Sequence, residues 1–247
     1  MYNEYQSQAI PQMNEQSRFM ARTYGWMALA LLISAVSAFI TATLLATHLY
    51  TAGANARAVY QTVMGFFMVA AIAEIALVWW LSASIRRISV SAATIGFIVY
   101  SVLNGITLST IFFAYDLSSI AGAFFATALT FCAMSLYGLK TKRNLMSMGR
   151  YLMMGVMGIV IASVVQLVLS LITRQPLYML DMLISAAVVV VFTALTAYDS
   201  QKILRTAEYA NGNDAYKKVA ILGALELYLD FINILLALLR LFGKRRS

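Results

Sequence analysis

Seven long apolar stretches separated by short polar ones organise this chain, at residues 23–46, 59–81, 91–113, 119–137, 149–172, 180–203 and 219–241. Each holds about 20 residues or a little more, enough to cross roughly 30 Å of hydrocarbon at about 1.5 Å per residue. The apolar runs do not alternate with period two, so the pattern predicts helices and not a barrel. The expected fold is an all-α integral membrane protein of seven transmembrane helices. Residues 1–22 are polar and carry Pro11, and are expected to form a short flexible cytoplasmic tail. They lack the basic-then-apolar pattern of a secretory signal. Residues 23–247 then form one seven-helix domain, with no length left for a soluble catalytic domain.

Composition agrees with this and removes other classes. Apolar residues make up 62% of the 247, and charged residues only 11%. A soluble domain could not cover its surface with so few charges, and a disordered chain would hold far less hydrocarbon. Cys132 is the only cysteine and His48 the only histidine, so neither a disulfide framework nor a zinc site is expected. The net charge of +8 would suggest nucleic acid in a soluble protein. Here the basic residues sit mostly between apolar runs, where they fix topology and meet anionic lipid headgroups; no nucleic-acid partner is implied.

Twelve of the eighteen basic residues fall on the side shared by the N-terminal segment and residues 82–90, 138–148 and 204–218. That bias puts the N-terminus in the cytoplasm. Seven crossings then put Lys244, Arg245 and Arg246 outside, against the same rule. Either six well-biased spans outvote the last, which is the preferred reading, or the last segment does not cross fully.

Chemistry concentrates in the acids within or near the spans: Glu74, Asp199, Glu226 and Asp230. An ionised carboxylate at mid-membrane costs about 2.5–3.5 kcal/mol on insertion scales, so such residues face the bundle interior or a water path. Glu226 and Asp230 stand four residues apart and share a helix face, with Asn233 nearly in line. This stripe on an otherwise apolar seventh span reads as pore-lining or core. Asp199 ends the sixth span, which runs antiparallel to the seventh, so Asp199 and Asp230 can meet. One proton shared between them would make a pH-sensitive latch, closed with the proton and strained without it. Lys202 and Arg205 are candidate counter-charges. Glu74 has no basic residue in its own span and needs a partner elsewhere; Arg86 and Arg87 stand three turns away. A structural alternative applies to each acid, since buried polar groups also pin helices together by hydrogen bonds. Asn104 is read that way, as a packing residue.

The remaining features are quieter. Trp79, Trp80, Tyr178 and Tyr209 near span ends read as interfacial anchors. The fourteen methionines lack a histidine or cysteine cluster and read as packing residues rather than a copper site. No metalloprotease, nucleophile-elbow, phosphate-loop or dinucleotide motif occurs, and no cofactor or enzymatic activity is expected. Asp199 and Asp230 invite comparison with intramembrane aspartyl proteases, but their contexts do not resemble the motifs of those enzymes.

Three runs do resemble a known family. SVLNGITLS (101–109), TALTAYDSQKI (193–203) and GALELYLDFINILLALLRLFG (223–243) closely resemble the Bax inhibitor-1, or transmembrane Bax inhibitor motif, family, in its bacterial branch. The resemblance runs from about residue 20 to the end. It implies six helices in two similar triplets around a central seventh, in a bacterial inner membrane. It also implies a pH-sensitive calcium leak channel gated by two aspartates, which match Asp199 and Asp230. An arginine near the second helix assists the pair in that family; Arg86 and Arg87 are the candidates here. Glu226 is an additional acid that the family pattern does not assign. The anti-apoptotic role of eukaryotic relatives does not carry over.

The leading expectation is therefore a passive cation path. Calcium is the ion the resemblance implies, and Asp199, Glu226, Asp230 and Asn233 would contribute some of the oxygens it prefers, with Asp199 and Asp230 as its ligands. Two alternatives stand beside it. One is an interaction protein that restrains a membrane protease or another membrane complex through residues 1–22. The other is a proton-coupled carrier of a small solute.

Overall fold

The computed structural model describes residues 2–51, 56–85, 87–175, 177–209 and 213–246, with side chains from residue 15 onward except 56–60. Eight α-helices follow one another among them: α1 (Tyr2–Thr51), α2 (Ala56–Ser84), α3 (Val90–Leu108), the single turn α4 (Ile111–Ala114), α5 (Leu117–Lys140), α6 (Gly149–Thr173), α7 (Tyr178–Ala207) and α8 (Asp214–Phe242). A 3₁₀ turn at Leu145–Met148 leads into α6. Among the described residues, seven segments are long and apolar enough to cross a membrane. Six of the expected spans lie within one of these and the second, 59–81, lies within α2, and the helices extend past the apolar stretches. The side chains of Leu32, Ile75 and Ile172 are 63%, 73% and 72% exposed, as lipid contact would leave them. Water would not tolerate that much exposed hydrocarbon; acyl chains do.

The polar N-terminal residues do not form the expected flexible tail. α1 is helical from Tyr2, and its candidate span begins at Glu15. Packing accounts for the described part: Phe19 and Thr23 are buried, and the Phe19 ring meets Tyr216 edge-on at 6.4 Å. Pro11 lies in this helix, and the chain continues through it.

The helices group into two compact units. The first holds residues 1–114 and 209–225. α1 and α3 pack closely there because small residues line their contact. The Ser34 hydroxyl donates to the Ser101 carbonyl at 2.7 Å, and Gly105 faces the Ser34 backbone with no room for a Cβ. Ser89 caps α3, accepting from the Ala92 amide at 3.1 Å, which satisfies a first-turn donor. The Lys218 ammonium donates to the Ile88 carbonyl at 3.0 Å.

The second unit holds residues 115–208 and 226–245. α5 crosses α7 at Gly138, where the Ala197 carbonyl occupies the space of a side chain. Gly149, opening α6, lies against the Tyr198 ring. From α8, Phe231 takes the rings of Phe124 and Phe131 edge-on at 5.4 and 5.7 Å. The last helix reaches the end of this unit at which α5 and α7 begin. Tyr115 and Arg245 form an isolated antiparallel bridge, the Lys244 amide donates to Ser119 Oγ at 3.0 Å, and the Arg245 guanidinium lies 5.2 Å over the Tyr178 ring. Asp214–Phe242 is long and apolar enough for the full crossing that the preferred reading of the last span expects. α8 is also the most buried span: 67% of its apolar window is buried, against 39% at most elsewhere.

Candidate functional site

In the second unit, α7 and the later part of α8 bring Asp199, Lys202, Glu226 and Asp230 into one group. α7 is long enough to place them: it ends at Ala207, which sets Asp199 about 12 Å inside the helix end. The Lys202 ammonium donates to Glu226 Oε1 at 2.7 Å and lies 3.8 Å from Asp199 Oδ1, so one cation bridges an acid from each helix. Asp230, one turn beyond Glu226, is 3% exposed, and Asp199 is 7% exposed. Asp230 meets the Thr196 side chain and lies within charge reach of Asp199, Glu226 and Lys202. Its Oδ2 is buried with no hydrogen-bond partner among the described residues. Three carboxylates thus face one ammonium.

The other candidates go elsewhere. Asn233 continues the stripe, but its Nδ2 donates to the Leu229 carbonyl of its own helix at 2.8 Å. Arg205 does not join the acids. Its guanidinium donates to Asn144 Oδ1 at 2.8 Å, because six residues past Asp199 it has turned about 240° around the helix. Glu74 belongs to the first unit. It accepts from Asn104 Nδ2 at 2.9 Å and from the Thr107 hydroxyl at 2.8 Å, so α3 supplies neutral donors and not a basic partner. Asn104 therefore does join helices, as a packing reading of it expects. Arg87 is exposed, with no ion pair among the described residues. Arg86 lies outside the described residues.

Two contacts were not anticipated. Thr196 stands one turn before Asp199, a spacing visible in the sequence. Gln201 is buried and bonds backbone atoms of the loop before α6, a role with no sequence signature. No three His, Cys, Asp or Glu side chains among the described residues gather as a metal-holding group.

Seven apolar spans with carboxylates buried between two of them define a multi-pass helical membrane protein with an intramembrane polar site. Residues 16–247 match the family described as inhibitor of apoptosis-promoting Bax1. The chain belongs to this Bax inhibitor-1 family. It is 42% identical over 233 residues to the inner membrane protein YbhL of Escherichia coli strain K12, covering 92% of each chain. It is 39% identical over 233 residues, 94% of each chain, to an uncharacterized protein of Borreliella burgdorferi. To an uncharacterized membrane protein of Streptococcus pyogenes serotype M1 it is 38% identical over 177 residues, 71% of this chain and 73% of that one.

Proposed function

We propose that the protein is a passive, non-enzymatic, pH-gated path for cations, with calcium as the physiological ion, in a bacterial inner membrane with its N-terminus in the cytoplasm. The gate is the Asp199–Asp230 pair, with Lys202 as its counter-charge and Glu226 as the acid that shares that charge. The observation that carries the reading is the imbalance of three carboxylates against one ammonium, with Asp230 Oδ2 buried and unpartnered among the described residues. In an apolar span this imbalance needs a further positive charge, and only a proton or a passing cation can arrive. Proton and cation then compete for the same oxygens, which makes flux depend on pH.

Purified protein in phosphatidylethanolamine–phosphatidylglycerol liposomes, with a calcium dye trapped inside, tests this between pH 5 and 8. Wild-type protein is expected to pass calcium with a pH-dependent rate. Asp199→Asn and Asp230→Asn should each change that rate and flatten its pH dependence. Wild-type flux and pH profile in both variants would reject the gate. Absence of flux in the wild-type protein would turn attention to restraint of a membrane partner.

A further inference from the structure

The stretch of α7 that carries Asp199 and Lys202 is gripped on its other side by the loop between α5 and α6. Gln201 does most of this. Its Nε2 donates to the Arg143 carbonyl and its Oε1 accepts from the Leu145 amide, both at 2.8 Å, so one side-chain amide pairs with the loop backbone much as a peptide group would. Gln201 is 5% exposed and the Leu145 side chain is buried. Leu145 opens the 3₁₀ turn, where its amide has no partner within the turn, so Gln201 satisfies an otherwise orphaned donor. Arg205, one turn on, holds Asn144 Oδ1, which also caps the turn through the Met146 amide at 3.1 Å. Tyr198 and Ala197 add packing against Gly149 and Gly138.

Two residues on a helix stand about 200° apart, so Gln201 and Asp199 point in nearly opposite directions. The loop holds one side of α7 while Glu226 and Asp230 stand at the other. A rotation of α7 that altered how Asp199 and Lys202 meet α8 would have to break the Gln201 pair or carry the loop along. We propose that Gln201 is a positioning residue that sets the pH response of the carboxylate group by fixing the rotation of α7 on the loop at 141–148. The proposal rests on the gate reading above. The charged groups in reach of Asp199 are Lys202 of its own helix and Glu226 and Asp230 of α8. α5 turns the Ser135 hydroxyl to Ser200 at 3.1 Å, and the loop and the neighbouring helix ends carry only exposed cations, Lys140, Lys142, Arg143 and Arg150. None of these is changed by substituting Gln201.

The test uses full-length protein and two readouts. Gln201→Met keeps size, removes both hydrogen bonds and adds no charge. Hydrogen exchange over residues 141–148 should rise about tenfold in Gln201→Met, the loss of roughly one good hydrogen bond. In the liposome assay Gln201→Met should shift the midpoint pH of calcium flux. Should Gln201→Met fail to fold, Asn144→Ala removes the Arg205 contact and the cap, and is expected to shift the midpoint the same way. Faster loop exchange with a wild-type pH profile would overturn the proposal, leaving Gln201 a purely structural clamp. So would unchanged exchange. If Asp199→Asn and Asp230→Asn also keep the wild-type profile, it is the gate itself that fails.

Discussion

At the scale of single residues, the molecule retains groups that work against its own stability. Asp230 is almost wholly buried on an apolar helix, and one of its oxygens has no hydrogen-bond partner among the described residues. Asparagine has nearly the same shape and carries no charge to desolvate. Asp230→Asn should therefore melt in detergent at or above the wild-type Tm while its calcium flux changes, the pattern expected where function is retained at the expense of stability. A large drop in Tm would make Asp230 a structural residue. Some of this site was legible in advance. The four-residue spacing of Glu226 and Asp230 follows from helix geometry, and Lys202, three residues after Asp199, falls on a neighbouring face. Arg205 was the misleading one, since proximity in sequence conceals the turn of the helix. The partners of Glu74 were hidden because they lie on another helix, and nothing within α2 itself points to Asn104 or Thr107.

At the scale of helices, contact depends on where side chains are missing. Gly138 is the sharpest case, since a methyl group there would collide with the Ala197 backbone. Gly138→Ala should part α5 from α7 and lower stability by about 2 kcal/mol or more, read as thermal unfolding in detergent. Gly158 has open space around its Cβ position. Gly158→Ala should leave stability unchanged or raise it by up to ~1 kcal/mol through helix propensity. Equal effects at the two positions would contradict the close crossing. The sequence shows glycines and small residues throughout the spans, which indicates close packing in general. It does not show which glycine meets which backbone, because that depends on pairing between helices distant along the chain. Apolar run length located all seven spans. It placed their ends short, since helices do not stop where hydrocarbon does.

At the scale of the whole molecule, the charge bias of the connections supports the proposed orientation, with the N-terminus in the cytoplasm. With Cys132 replaced by serine, a single cysteine at Ser147 should react with a membrane-impermeant maleimide only from the cytoplasmic side, and one at Gln175 only from the other. Both positions are exposed. Reversal of the two patterns would invert the proposed topology without altering the fold.

The pairing of residues 244–245 with 115–119 has a mechanical consequence. The second unit starts and finishes at the same stitch, so its three whole spans and the later part of α8 form a closed circuit and not an open row. Fraying of α8 from its far end must first unpick that stitch. Removing Lys244 and Arg245 would leave the outer turn of the final helix tethered only by its side chains.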